Sequence, residues 1–226
     1  MGTKQKISIG IVVVALIGIS SFLFLSRPLP APTEMTADSL DTGDANSILQ
    51  EGEVVYVASS GTTATFEIDE TLNGKPKHVV GTTSDVQGQV TFNTIDPSLS
   101  KLGIFKVNAR TLKTDEARRD NTVGRIVLKS ADNANEFIIF EANGVKEMSK
   151  VGDELTFKIP GKLTVAGVTK DVTFSGTATV KEQTMNGTVS ATILYKDFGI
   201  EIPNLPIIAW VDESVKITIN FIGKTI

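Results

Sequence analysis

The 226-residue chain contains no cysteine. It therefore has no disulfide, no thiolate metal site, no cysteine nucleophile and no lipid-modified cysteine. Histidine is almost as scarce. His78 stands alone, which excludes multi-histidine metal centres and would make any Ser-His-Asp triad depend on one ring. No Gly-x-Ser-x-Gly elbow is present, and Gly81-Thr82-Thr83-Ser84 lacks the spacing of a phosphate loop. Neither sign of charge dominates: 22 Lys+Arg stand against 26 Asp+Glu. Only Lys4, Lys6 and Arg27 among the basic residues, and Glu34, Asp38, Asp41 and Asp44 among the acidic ones, precede residue 50. The mild acidic excess therefore belongs to the rest of the chain and argues against a nucleic-acid partner held by bulk charge. Neither a cofactor nor a metal is expected.

Long apolar runs are also missing, with one exception. Residues 7–25 carry no charge and approach the roughly 20 residues that a helix needs to cross the hydrocarbon core. Lys4, Lys6 and the amino terminus precede the run, so the positive-inside bias puts residues 1–6 in the cytoplasm and everything after Arg27 outside it. The run exceeds the about 7–15 apolar residues of a signal peptide, and Ser26-Arg27-Pro28 is a poor cleavage site. The expectation is an uncleaved transmembrane anchor over 7–25. Residues 26–49, with Pro28, Pro30 and Pro32 and no sustained apolar period, read as a flexible linker with nothing to pack. A folded domain spans 50–226.

What that domain has in quantity is alternation. Side chains flip every residue along a strand. In residues 62–70, Ala64, Phe66 and Ile68 oppose Thr65, Glu67 and Asp69. Residues 54–57, 86–92, 102–112, 153–165, 168–180, 185–195 and 214–222 read as further strands. Leu163 and Val165 share a face, as do Val172 and Phe174, and Gly167 between them can take the positive φ of a tight turn. Residues 136–142 are apolar on both faces and are expected to be covered on both sides. Thr114-Asp115-Glu116 reads as a helix start running to about Leu128, the natural cover. Residues 72–76 and Lys75-Pro76-Lys77-His78 read as loop. Eight or nine strands and one helix argue for an all-β antiparallel barrel or sandwich.

Several motifs are familiar as a set. Gly161-x-Leu163-Thr164-x-x-Gly167-Val168-Thr169-Lys170-x-Val172 resembles the signature of the YceI-like family, as does Tyr195-Lys196-Asp197-Phe198-Gly199-Ile200 ahead of Val211-Asp212-Glu213-Ser214-Val215. The segments 65–70 with Gly74-Lys75-Pro76, and 107–112 leading to Arg118-Arg119-Asp120, are similar to one branch of it. The resemblance covers about residues 52–224. It implies an extended lipocalin-like antiparallel β-barrel of about eight strands, binding of a polyisoprenoid or other long-chain lipid, and an extracytoplasmic bacterial setting. Members are commonly secreted through a cleaved signal, from which the apparent anchor departs.

On that reading the apolar faces supply the ligand-binding candidates: Phe66, Ile68, Phe92, Phe105, Val107, Phe140, Phe157, Leu163, Phe174, Ile193, Phe198, Trp210 and Ile217. Small residues on these faces, Ala64, Gly88, Ala109, Gly176, Ala178 and Ala191, leave room for a ligand; an ordinary packed core is the alternative, and the residues alone do not choose between them. Arg110, Arg118, Arg119 and Arg125 form a candidate head-group cluster, although Asp115, Glu116 and Asp120 are interleaved and available to pair with them. Lys196-Asp197 lacks a nucleophile and reads as a strand end, with Phe198 capping the barrel. The apolar loop 200–210 is a candidate lip. The expected function is lipid sequestration or transport without chemistry. An enzyme acting on an amphiphile, and a structural or stress-related module with a packed core, are the alternatives.

Overall fold

The computed structural model describes residues 27–35, 49–202 and 208–225. The apolar run 7–25 lies outside them. Among the described residues no helix is long and apolar enough to cross a membrane.

Among the described residues fourteen strands follow one another: β1 (Glu53–Ala58), β2 (Thr63–Leu72), β3 (Lys75–Thr83), β4 (Val86–Gln87), β5 (Gln89–Asn93), β6 (Lys101–Leu102), β7 (Phe105–Asn108), β8 (Phe137–Ala142), β9 (Lys146–Val151), β10 (Glu154–Val165), β11 (Val168–Lys181), β12 (Thr184–Leu194), β13 (Ile208–Val211) and β14 (Ser214–Thr225). They make one antiparallel sheet, in the order β4-β7-β8-β10-β11-β12-β14-β1-β5-β6 along its main path. The long strands β10, β11, β12 and β14 are its spine, and each long edge of the spine splits. β14 gives Lys216–Asn220 to β2 and Gly223–Thr225 to β1. β10 gives Gly161–Thr164 to β8 and Glu154–Lys158 to β9. The sheet curls into a half-barrel whose concave side carries the apolar residues. A single bridge, Thr82 to Lys113, ties the β2–β3 hairpin to the chain after β7.

The hairpin at 161–174 forms through a two-residue turn. Ala166 and Gly167 both have positive φ, at 49° and 80°, the geometry that matches the twist of the flanking strands. Asn73 and Gly74, at 50° and 74°, close the β2–β3 hairpin in the same way. The stretch read as loop is therefore a tight turn. Pro76 and His78 lie within the part of β3 that pairs only with β2, so the proline breaks no ladder on its free edge.

The alternation at 86–92 does not make one strand. It breaks at Gly88: β4 pairs with β7, while β5 pairs with β1 and β6. The stretch 102–112 breaks as well. Asn108 accepts a hydrogen bond from the Arg110 backbone N–H at 3.1 Å, and Ala109–Thr111 turns as a 3₁₀ helix. A side chain that bonds the backbone two residues on offers an alternative to the ladder, which alternation alone does not reveal.

The helix is shorter than its sequence pattern. α1 (Ala117–Thr122) has Glu116 at its N-cap position, without a capping side chain, and runs into a π turn at Val123–Val127. Thr114 instead donates its N–H and hydroxyl to Asp120 Oδ1, both at 2.7 Å. The π turn packs on the concave side: Val123 and Val127 join Ile138 and Phe140 against the cluster of Leu112, Leu128, Leu163, Val165, Tyr195 and Phe198. The segment thus caps one end of the half-barrel and does not cover the outer face of β8. A second cluster, Tyr56, Phe92, Leu155, Met185 and Phe221, fills the other end.

Candidate functional site

The concave side of the sheet encloses a cavity of about 1240 Å³, above the roughly 300–1,000 Å³ usual for small-ligand pockets. Of the residues proposed from alternation, Phe66, Ile68, Phe92, Phe105, Val107, Phe140, Phe157, Leu163, Phe174, Ile193 and Ile217 all line it. The period-2 rule brings them together because each except Phe140 belongs to a strand whose other face is polar; β8, which carries Phe140, is apolar on both faces. Val215 and Ile219, on the same face of β14 as Ile217, line it too, and were legible by the same rule. Met148 on β9 lies in a strand with no clear alternation. Aromatic side chains lock parts of the wall: Phe140 meets Phe174 edge-on with ring centroids 4.9 Å apart, and Phe105 meets Phe221 at 5.8 Å.

Two proposed residues lie elsewhere. Phe198 is buried in the cluster at the capped end, beneath the 3₁₀ turn Tyr195–Phe198, and Gly199 supplies the left-handed residue after it. Trp210, on β13 beside Thr71 of β2, is 53% exposed. Of the loop 200–210, Ile200 and Ile202 line the cavity; residues 203–207 are outside the described part.

The small residues do not all leave room. Ala64 and Ala178 face the cavity. Gly88 does not: a Cβ there would fall 2.4 Å from Cδ1 of Phe105, whose ring occupies the space. Gly176 is filled by the β12 backbone, with Thr188 O only 2.0 Å from a would-be Cβ. Ala109 belongs to the packed cluster at the capped end.

The exposure of the lining residues locates the mouth. Among the described residues, every exposed one belongs either to the chain around Lys113–Arg118 or to the segment Arg27–Pro32. That second segment was read as linker with nothing to pack; instead it is hydrogen-bonded across the capped end. Thr33 donates its N–H to Glu136 Oε1 at 2.6 Å and its hydroxyl to Oε2 at 2.8 Å. Arg110 donates to Ala31 O at 3.1 Å. Arg125 donates to Arg27 O at 2.7 Å and also to Pro28 O. Leu29 approaches so closely that a Cβ on Gly124 would sit 2.5 Å from its Cδ1. Apolar periodicity could not signal this contact, because it is made mostly by the backbone of a proline-rich stretch.

The network beneath the segment is buried and paired. Arg110 and Glu136, each 3% exposed at the side chain, form an ion pair of 2.9 Å. Arg110 also donates to Ser130 O and Asn133 Oδ1, both at 2.7 Å, and Asn108 donates to Glu136 Oε1 at 3.1 Å. Burial pushes the Glu136 carboxyl up, but the Thr33 amide and hydroxyl, the Arg110 charge and the Asn108 amide together hold it below the usual range. Nearby Asp85 is raised, by burial first, against a hydrogen bond from Asn108 and with the Glu136 charge adding to the rise.

The four arginines therefore have different jobs. Arg110 and Arg125 hold the segment. Arg119 lines the mouth while pairing with Glu70 at 3.1 Å and with Asp115. Arg118 lines the mouth, is exposed, and has no side-chain partner among the described residues. Lys196 pairs on the surface with Glu213. Among the described residues no group of His, Asp and Glu could hold a metal ion.

A curled antiparallel sheet around a large apolar cavity, capped by one short helix, defines a class of all-β proteins with an internal pocket. Within it this chain belongs to the YceI-like family: the family profile for the YceI-like domain matches residues 56–222. Similar solved structures include BcnA of Burkholderia cenocepacia, with a TM-score of 0.56 and 14% identity over 71% of this chain and 95% of that one. A polyisoprenoid-binding domain of Saccharophagus degradans gives a TM-score of 0.59 at 9% identity, over 77% and 99%. A YceI protein of Campylobacter jejuni gives 0.50 at 18%, over 64% and 83%. At such identities the likeness speaks for the fold. No curated protein matches the chain by sequence.

Proposed function

We propose that this protein is a membrane-tethered, extracytoplasmic carrier that holds a polyisoprenoid or similar amphiphile inside a lipocalin-like barrel, by binding and without chemistry. The observation that carries the reading is the cavity of about 1240 Å³, walled almost throughout by aliphatic and aromatic side chains. Each CH₂-sized unit transferred into such a space gains about 0.8 kcal/mol. A long chain therefore binds without strong polar contacts, and the wall needs no catalytic group. The polyisoprenoid-binding domain of similar fold supports the choice of ligand class.

The head group belongs at the mouth, where Arg118 and Arg119 stand beside Lys113. The tether is the uncharged run 7–25, flanked by Lys4 and Lys6 on one side and Arg27 on the other. Native mass spectrometry and lipid analysis of the purified full chain test the function. The expected result is a retained prenyl lipid, enriched over bulk phospholipid and exchangeable with added polyprenyl phosphate. A protein that neither retains nor takes up any amphiphile overturns it.

A further inference from the structure

The docked segment fixes more than one end of the cavity. Arg27 is two residues beyond Leu25, the last residue of the uncharged run. Two residues of chain span at most about 7 Å. Yet the Arg27 and Pro28 carbonyls are held by Arg125, Ala31 by Arg110, and Thr33 by Glu136, all at the capped end where the cavity opens. A tether attached through free linker would let the domain tumble above the surface. Attached through this segment, the mouth is the part of the domain nearest the end of the run. The exposed lining residues there include three cations, Arg27, Lys113 and Arg118, and one acid, Glu116. Neighbouring Asp115 is already paired with Lys77 and Arg119, and Lys113, though 67% exposed at its side chain, reaches Asp120 at 3.8 Å.

We propose that the segment from Arg27 to Thr33 holds the cavity mouth against the surface of an anionic lipid bilayer, so that lipid passes directly between membrane and cavity. The inference rests on the membrane-tether reading above. The mouth is the interaction surface and the bilayer is its partner. Anionic head groups attract cations at such a surface, and the apolar segment residues Leu29 and Pro30 continue the cavity wall toward it.

The absence of cysteine makes the test direct. Glu116→Cys puts a fluorophore on the rim. Glu182→Cys puts it on the turn after β11, whose fourteen residues at about 3.3 Å each place it about 40 Å from the capped end. The full chain is reconstituted into vesicles of phosphatidylcholine and phosphatidylglycerol carrying a spin-labelled quencher lipid, and the same samples are floated on a density gradient. The expected result is flotation, with quenching several-fold stronger at position 116 than at 182. Combined Leu29→Ser and Thr33→Val substitutions are expected to erase that difference while flotation persists. Protein that floats with both labels quenched equally, or with 182 the stronger, overturns the orientation and leaves the tether standing. Asymmetry that survives the combined substitution overturns the role given to the segment. Protein that does not float overturns the tether reading and this inference with it.

Discussion

Two residues carry costs or gains that single substitutions can read. Ala166 sits at φ 49°, a left-handed conformation that strains most residues with a Cβ, strains Asn less because its side chain bonds the local backbone, and does not strain Gly. Ala166→Asn is expected to raise stability by about 0.5–1 kcal/mol in urea unfolding, without changing lipid uptake, since the turn is outside the cavity wall. Glu136 works in the opposite sense. Removing one partner of a buried ion pair costs about 3–5 kcal/mol, and Glu136→Gln leaves Arg110 without its carboxylate. The Glu136 carboxyl is held low in the folded protein. Its stabilising contribution is thus present above the ordinary glutamate value and is lost as pH falls through the lowered folded value. Asp85, raised by burial, opposes this, because it gains a proton more readily in the folded state. The stability gap between the natural protein and Glu136→Gln, followed by denaturation from neutral to acid pH, is expected to narrow as Glu136 protonates. A gap independent of pH would show that the carboxylate charge does not matter.

Among the elements, β11 and the turn after β7 separate cavity wall from packed core. Ala178 on β11 faces the cavity and Ala109 belongs to the packed cluster at the capped end. Ala109→Leu is expected to overpack and destabilise by about 1–3 kcal/mol. Ala178→Leu has empty space ahead of it, so it is expected to cost less and to weaken prenyl-lipid uptake in a fluorescence titration. Equal destabilisation by both would identify a packed core. Most element types were readable in the chain: β2, β10, β11, β12 and β14 follow the alternation closely, since each has one wet and one dry face. The misreadings share a cause. Gly88 yields its place to the Phe105 ring and splits a strand, Asn108 bonds backbone and ends another, and Asp120 takes the bonds expected of a cap. In each case a contact from elsewhere in the chain or a side-chain bond overrode a local pattern.

At the scale of the whole molecule, ligand and fold are linked. A ligand that binds only the folded state adds about 2.7 kcal/mol of stability at a hundred times its dissociation constant. A polyprenyl phosphate is therefore expected to raise the unfolding midpoint in proportion to the logarithm of its concentration, and a short-chain phosphate to raise it far less, because exposed charges at the mouth add little without the buried tail. The sequence by itself determined the class of fold, the face of each long strand that turns inward and the family, because those follow from period-2 alternation and from residues close together in the chain. It also carried the uncharged run that motivates the tether. Only the tertiary structure decided where the cavity opens, which arginines are already engaged and that Arg27–Thr33 is docked. Those facts depend on Thr33 meeting Glu136, 103 positions away, and on backbone carbonyls that leave no periodic trace in the side chains.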